Sequence, residues 1–596
     1  MSDFHIEEEE FTSQVHGRII FRILSLLKPH LLWALGFLFL IALVSVLDAF
    51  FTYISKLMID QGILKGDYQE LLKLILIYGG LAIIQAASVF GFIFLAGILG
   101  ERVQYDLRKK MFDHLQTLSF SYFDRTPVGW IMSRVTSDSG KIAELVTWGL
   151  VDVTWAIMNI GTSLIFMFII HWRLALIVLA VVPVMVWVAV LFQKKILEQY
   201  RQVRKQNSRL TGSYNEMITG VRVVKALCRE EQNLEEFSLE AGSMYRASYR
   251  AAWFSALFLP CVQIIGSLAL GAIIWYGGLE RMSGEMTLGG IQAFIFYVAF
   301  MLWPIQDLAR VWASMQSALA SAERVFSLID SDPEVKDRAD ADDHCSLRKV
   351  IDFKHVDFFY EQGKPVLEDF NLKIKQGESL ALVGPTGGGK STISNLICRF
   401  YEPAGGTISF GGVDYLQYTQ EAIQSRIGIV LQTPHLFSGS IEDNIRFGRL
   451  EASLKEIEAA ARLSRAHEFI VKMDKGYKQE VGEGGSLLSL GQKQLICLAR
   501  AVLSDPDIFI MDEATSSVDA LSEALIQEGL EGVMKGRTSI IIAHRLSTIR
   551  RAERILVIEN GHIVEQGSHT ELIGAMGRYH SLYSQQFRKS LLPDLK

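Results

Sequence analysis

The residues Gly384-Pro385-Thr386-Gly387-Gly388-Gly389-Lys390-Ser391-Thr392 carry the densest chemistry in the chain. Two glycines frame four residues and Lys-Ser follows at once, which is the spacing of a P-loop. In such a loop the backbone amides turn inward and a helix starts behind them, so free N–H groups and the helix dipole both favour a phosphate. Lys390 would reach the β- and γ-phosphates of a nucleotide, and the Ser391 hydroxyl would ligate magnesium. The bland reading is a glycine-rich turn. The setting argues against it: Ser379 to Val383 reads as a buried strand and Thr392 to Phe400 as a helix, the context the motif requires.

A second loaded strand end is Ile508-Phe509-Ile510-Met511-Asp512-Glu513. Asp512 suits the magnesium shell, and Glu513 can orient the water opposite the γ-phosphate and accept its proton. His544 follows the apolar run Thr538 to Ala543 and is placed to hydrogen-bond a γ-phosphate, although a lone histidine there is more often structural. Tyr360 ends the run Val356 to Tyr360; its ring can stack on adenine or simply pack in a core. Gln432, after Val430-Leu431, says little by itself.

These residues need an α/β core, and from Val350 onward strand and helix patterns mix with no spanning segment. The 596 residues exceed one ordinary domain. Half are hydrophobic and 21% are charged, with mean hydropathy +0.24, the balance of a part-membrane protein. A net charge of −6 argues against a nucleic-acid partner, which calls for a basic face. Cys228, Cys261, Cys345, Cys398 and Cys497 are scattered without metal-like spacing. The acidic start, Glu7 to Glu10, does not look like a signal peptide.

Residues 17 to 29 are amphipathic and suit a membrane interface. Six apolar segments then reach spanning length, near Leu31–Tyr53, Leu71–Leu95, Val146–Ile170, Leu174–Phe192, Ala252–Tyr276 and Gly289–Leu308. Lys and Arg collect in the two long connections, Gly100 to Leu145 and Gln193 to Ala251, which places both loops and both termini in the cytosol. Asp48 and Asp152 are ionisable groups within or near spans, with Asn159, Gln263 and Gln292 as weaker candidates for contact with a polar or cationic cargo. Trp155, Trp253, Phe254, Phe258, Phe296, Tyr297 and Met301 would line an apolar pocket or, more often for such residues, pack helices and face lipid. Ser331 to Arg348 is polar and charge-rich and reads as a linker.

These pieces, in this order, resemble the ATP-binding cassette transporters over almost the whole chain. The most specific match is Leu488-Ser489-Leu490-Gly491-Gln492, followed by the Asp512-Glu513 strand end and Ser517-Val518-Asp519, which in that family are the signature motif, the Walker B end and the D-loop. Phe123-Asp124-Arg125-Thr126-Pro127-Val128-Gly129 and Gly220-Val221-Arg222-Val223-Val224-Lys225-Ala226 match the family's cytosolic loops. The resemblance implies a half-transporter of the exporter type: an N-terminal tail and interfacial helix over 1–30, an all-α six-helix transmembrane domain over 31–330, a linker over 331–349 and an α/β P-loop nucleotide-binding domain over 350–590. It implies ATP and Mg2+. Tyr360 would stack on adenine; Gly384, Pro385, Thr386, Gly387, Gly388, Gly389, Lys390, Ser391 and Thr392 would hold phosphates; Ser391, Gln432 and Asp512 would complete the metal and water shell. Glu513 would be the general base and His544 a γ-phosphate clamp. Ser489, Gly491 and Gln492 would contact nucleotide bound to a second nucleotide domain, so two chains must pair head to tail.

The chain departs from the family at Leu490, where glycine is usual, and at Lys493-Gln494-Leu495, where Arg-Gln-Arg is usual. A bulky side chain beside a phosphate-facing loop suggests a weakly hydrolysing site, and hence a heterodimer whose partner has an ordinary signature and a replaced glutamate. A homodimer tolerating leucine is the alternative. The implied activity is ATP-driven export of hydrophobic or amphipathic compounds, drugs or lipids, by alternating access in a bacterial cytoplasmic membrane. The competing readings are an importer of siderophores or other small molecules on the same scaffold, and an ATP-gated channel or regulatory membrane module.

Overall fold

The computed structural model describes residues 17–512, 520–543 and 546–587. The chain divides into two compact units, Met1–Thr117 with Pro127–Ser331 and Leu118–Thr126 with Asp332–Lys596.

The first unit is helical. Among the described residues five helical runs are long and apolar enough to cross a bilayer, Gly17–Ile63, Tyr68–Leu115, Val128–Ile170, Trp172–Thr219 and Glu230–Met282, where six segments are expected from the sequence; the sixth falls in the helix Leu288–Ile329, whose apolar stretch is Leu288–Met301. Helices of 48 residues are about 72 Å long at 1.5 Å per residue, more than twice a hydrocarbon core of ~30 Å. The apolar windows therefore account for only part of each helix. Local chemistry sets the starts: the Asp67 carboxylate accepts from the amides of Gln69 and Glu70, and the Thr287 hydroxyl accepts from Gly290. Only His171 separates Ile170 from Trp172, giving a tight hairpin.

Apolar and small side chains such as Ala49, Met167, Ala175, Ile273 and Phe294 fill this unit's core. Tyr297 and Met301 belong to that core, with the Tyr297 hydroxyl donating to the Ala49 carbonyl at 2.7 Å, whereas Trp253 and Phe296 are exposed. Asp48 accepts from the Gln85 amide on the next helix. Asp138 is buried and accepts from Arg324 Nε at 2.8 Å and Nη2 at 2.7 Å, tying the first long connection to the last helix of the unit.

The second unit is α/β. The strands are β1 (Ile351–Glu361), β2 (Lys364–Ile374), β3 (Ser379–Val383), β4 (Gly405–Phe410), β5 (Val413–Asp414), β6 (Ile427–Val430), β7 (Ile508–Asp512), β8 (Thr538–Ile542), β9 (Arg554–Glu559) and β10 (His562–Gly567). An antiparallel sheet has the order β2-β1-β4-β5, and a six-stranded sheet the order β10-β9-β3-β8-β7-β6. In the larger sheet β9, β3, β8, β7 and β6 run parallel, with β10 antiparallel at the edge. The strands β3 and β8 are buried along their whole length, as parallel strands covered on both faces must be. One face packs on residues such as Ile393 and Leu396, the other on Leu495 and Ile496.

Two features of this unit were not visible as such in the sequence. The six-residue helix Phe120–Arg125 lies in the first long connection yet belongs here: Phe120 stacks on Phe400 with centroids 5.1 Å apart, and Tyr401 donates to the Asp124 carboxylate. The charge-rich stretch after Ser331 is held by Arg399, which is 1% exposed and donates to Asp337, Glu402, the Tyr418 carbonyl and the Lys336 carbonyl.

Candidate functional site

In parallel sheets ligands gather beyond the carboxyl ends of the strands. Here β3, β8 and β7 end level: Leu382 and Asp512 both pair with Ile542. The loop after β3 is built by its backbone. Gly384 has φ +151° and an added Cβ would lie 2.0 Å from the Ile558 carbonyl oxygen, so only glycine lets the chain turn there. The Gly388 carbonyl accepts from the Gly561 amide at 3.2 Å, fastening the loop to the turn between β9 and β10. Gly389, at φ +101°, is the N-cap of the helix Lys390–Ile397. The helix thus starts two residues before Thr392, because the left-handed glycine rather than the apolar pattern sets its first turn.

Lys390 is 6% exposed, and its ammonium donates to the Gly384 carbonyl at 2.9 Å and the Pro385 carbonyl at 2.7 Å. Burial pulls its pKa below the usual lysine value, opposed by the negative charge of Asp512. The Ser391 hydroxyl donates to Asp512 Oδ2 at 3.4 Å. Two hard oxygens side by side, next to a buried cation and a loop of turned amides, fit a magnesium–polyphosphate. At Gly387 an added Cβ would meet nothing within 4 Å, so the loop's mouth is open.

Tyr360 ends just short of β1's last residue. Its hydroxyl lies 3.2 Å from Thr392 Oγ1 and accepts from Asn395 at 3.4 Å, both on the P-loop helix. Its ring meets Phe358 and Tyr401 edge-on, with centroids 4.8 and 5.1 Å away. Gln432 is exposed two residues beyond β6, the neighbour of β7. Glu513 and His544, the residues next to Asp512 and Ala543, lie outside the described residues, as do Ser517 to Asp519.

Ser489, Gly491 and Gln492 sit at the start of the helix Leu490–Leu503. Ser489 Oγ accepts from the Gln492 amide at 3.3 Å and Gln492 Oε1 accepts from the Ser489 amide at 3.0 Å, a reciprocal cap. Among the described residues no hydrogen bond joins this helix start to the P-loop of the same chain.

Sequence reasoning missed the surroundings of Tyr360. A cavity of about 540 Å³ is bounded by Arg125, Glu334, Tyr360, Tyr401 and Glu402, and Arg125 donates to the Tyr360 carbonyl at 3.4 Å. No motif announces it; the contact joins residues 235 positions apart.

The family model for the ABC transporter transmembrane region matches residues 34–305, and the ABC transporter model matches 367–516. The uncharacterized ABC transporter ATP-binding protein YknV of Bacillus subtilis is 37% identical over 96% of this chain and 95% of its own length. The chain belongs to the ABC transporter family. An ATP-dependent lipid A-core flippase of Desulfotalea psychrophila is 34% identical, over 92% of this chain and 96% of its own. A fatty acid ABC transporter ATP-binding/permease protein of Mycobacterium tuberculosis is 38% identical, over 81% and 76%. This ABC transporter is a multi-pass membrane protein of the exporter half-transporter type. It binds ATP and couples ATP hydrolysis to transport.

Proposed function

We propose that this ABC transporter exports hydrophobic or amphipathic compounds, lipids or drugs, by alternating access. Relatives named for lipid A-core and fatty acid transport support a lipid-like cargo. The observation that carries the reading is the pairing of Ser391 with Asp512 beside the buried Lys390.

In this reading Tyr360 stacks on adenine, while the amides from Gly384 to Gly389 with Lys390, Ser391 and Thr392 hold the phosphates. Ser391, Asp512 and Gln432 hold magnesium, which when bound neutralises phosphate charge. Glu513 takes the proton of the attacking water and His544 steadies the γ-phosphate. Closing two nucleotide domains on ATP adds contacts absent from the open pair, and only that difference can reorient the membrane halves. In this reading 31–330 forms the membrane domain and 350–590 the nucleotide-binding domain, with 331–349 between them and the helix Phe120–Arg125 seated on the nucleotide-binding part.

The second half of the transporter is a different chain. The cap formed by Ser489 and Gln492 leaves Leu490 at the first helical position, where its side chain adds bulk next to the groups meant for the opposite nucleotide. A partner with an ordinary signature and a replaced glutamate would restore one competent site. The protein resides in a bacterial cytoplasmic membrane with both termini cytosolic. The test is the purified single chain in lipid. Its ATPase activity is expected to be low, and Leu490→Gly is expected to raise it at least about tenfold, within the scale of one restored phosphate contact. Full ATPase and transport by the unaltered single chain would refute the heterodimer.

A further inference from the structure

We infer that His171, Glu280 and Glu285 form a site for a divalent transition-metal ion at the short-loop end of the helical unit. His171 is the lone residue between the helices Leu150–Ile170 and Trp172–Thr219. Glu280 lies in the last turn of the helix Glu230–Met282, and Glu285 in the short loop before Leu288–Ile329. Two hairpins that are distant in sequence therefore meet here, and one ligand atom from each residue lies within 4.8 Å of the other two. Ligand atoms around a tetrahedral zinc ion with bonds of ~2.1 Å stand about 3.4 Å apart, so side-chain shifts of about an ångström close the set.

Two observations separate this cluster from an ordinary surface group of acids. The first is His171. It is 9% exposed, and its Nε2 faces Glu280 Oε2 at 3.9 Å, beyond hydrogen-bond reach. Among the described residues this nitrogen has no hydrogen-bond partner, although Glu280 is itself only 8% exposed. An imidazole nitrogen on a largely buried side chain, facing the two carboxylates without a hydrogen bond to either, is an available ligand.

The second is Arg173. One of its nitrogens, Nη1, lies 3.3 Å from Glu280 Oε1 and 3.2 Å from Glu285 Oε2. A single cationic atom thus already bridges both carboxylates and marks the place where positive charge is favoured. The Arg173 side chain is half exposed, so it can swing into solvent when a dication takes its position. The Tyr276 hydroxyl, one turn back on the same helix, lies beside Glu280, where an outer-shell group stands at a metal site. The Leu174 amide contacts His171 Nδ1 at 3.4 Å. That long contact is given up when Nε2 binds the ion, because the proton must then reside on Nδ1.

One imidazole and two carboxylates suit zinc or a neighbouring first-row ion better than magnesium or calcium, which prefer all-oxygen shells. The ion would staple the hairpin at His171 to the loop at Glu285 and so make the opening of that end metal-dependent.

The test uses the full chain in lipid nanodiscs, stripped with a chelator and titrated with Zn2+ by calorimetry, with Co2+ absorption as a second readout. One zinc per chain is expected. Glu285→Gln, at an exposed position, and His171→Gln should each weaken binding at least tenfold and remove the cobalt d–d bands. Arg173→Gln should tighten binding by removing the competing cation. Magnesium-dependent ATP hydrolysis, measured without any transition metal, checks that each variant is folded. Absence of zinc binding by the unaltered chain, or equal affinity in all three variants, would overturn the inference.

Discussion

The Ser391 hydroxyl donates to the Asp512 carboxylate across 3.4 Å, joining residues 121 positions apart. Ser391 lies in the first turn of the helix that follows β3 and its loop, Asp512 ends β7, and β8 lies between the two strands. Their meeting is produced by strand order alone: parallel strands of equal reach bring the P-loop helix and the acidic strand end to one edge of the sheet.

Asp512→Asn removes charge but keeps the shape of the strand end. It is expected to leave the fold intact and to lower magnesium-dependent ATP hydrolysis by about 10²- to 10³-fold, the scale of losing one charge-stabilising group in a dry site. Steady-state phosphate release with a magnesium titration measures it. A normal rate at saturating magnesium would remove Asp512 from the metal shell.

Two loop glycines should behave differently. Gly384→Ala forces a methyl to within 2.0 Å of the Ile558 carbonyl oxygen, whereas Gly387→Ala enters open space at φ +82°. The first is expected to destabilise the chain by at least about 2 kcal/mol and to abolish nucleotide binding. The second should cost about 1 kcal/mol of backbone strain and retain binding. Chemical unfolding of the solubilised chain, with a fluorescent ATP analogue as binding probe, compares them.

The loop, its flanking strand and five of the six apolar spans were legible because each is a local pattern: a fixed glycine spacing, an apolar pentad, a window of hydropathy. The reciprocal cap of Ser489 and Gln492 went unread in the sequence, where the two stand only as parts of the signature, although Ser-x-x-Gln before an apolar run is a local capping pattern. The rest of what stayed hidden was non-local. Six residues, Phe120–Arg125, are too few for a periodicity to say which unit they join, and stacking on Phe400 decides it. Likewise the stretch after Ser331 reads as a polar linker, yet one buried guanidinium holds its backbone.

That guanidinium supplies the next expectation. Arg399→Met breaks its pairs with Asp337 and Glu402 and strands the Tyr418 and Lys336 carbonyls. Loss of roughly 3 kcal/mol is expected, read as a lower denaturation midpoint. Arg399→Lys should not recover it, because an ammonium cannot serve four acceptors in a planar fork.

The most direct measurement is ATP-dependent movement of a lipid-like fluorescent compound into inside-out vesicles carrying the assembled transporter, with Lys390→Ala in this chain. Lys390 donates to the carbonyls of the loop that is to hold the phosphates. Uptake is expected to fall to the level seen without ATP while the complex still assembles. Uptake at the unaltered rate would contradict the claim that nucleotide held by this loop drives transport.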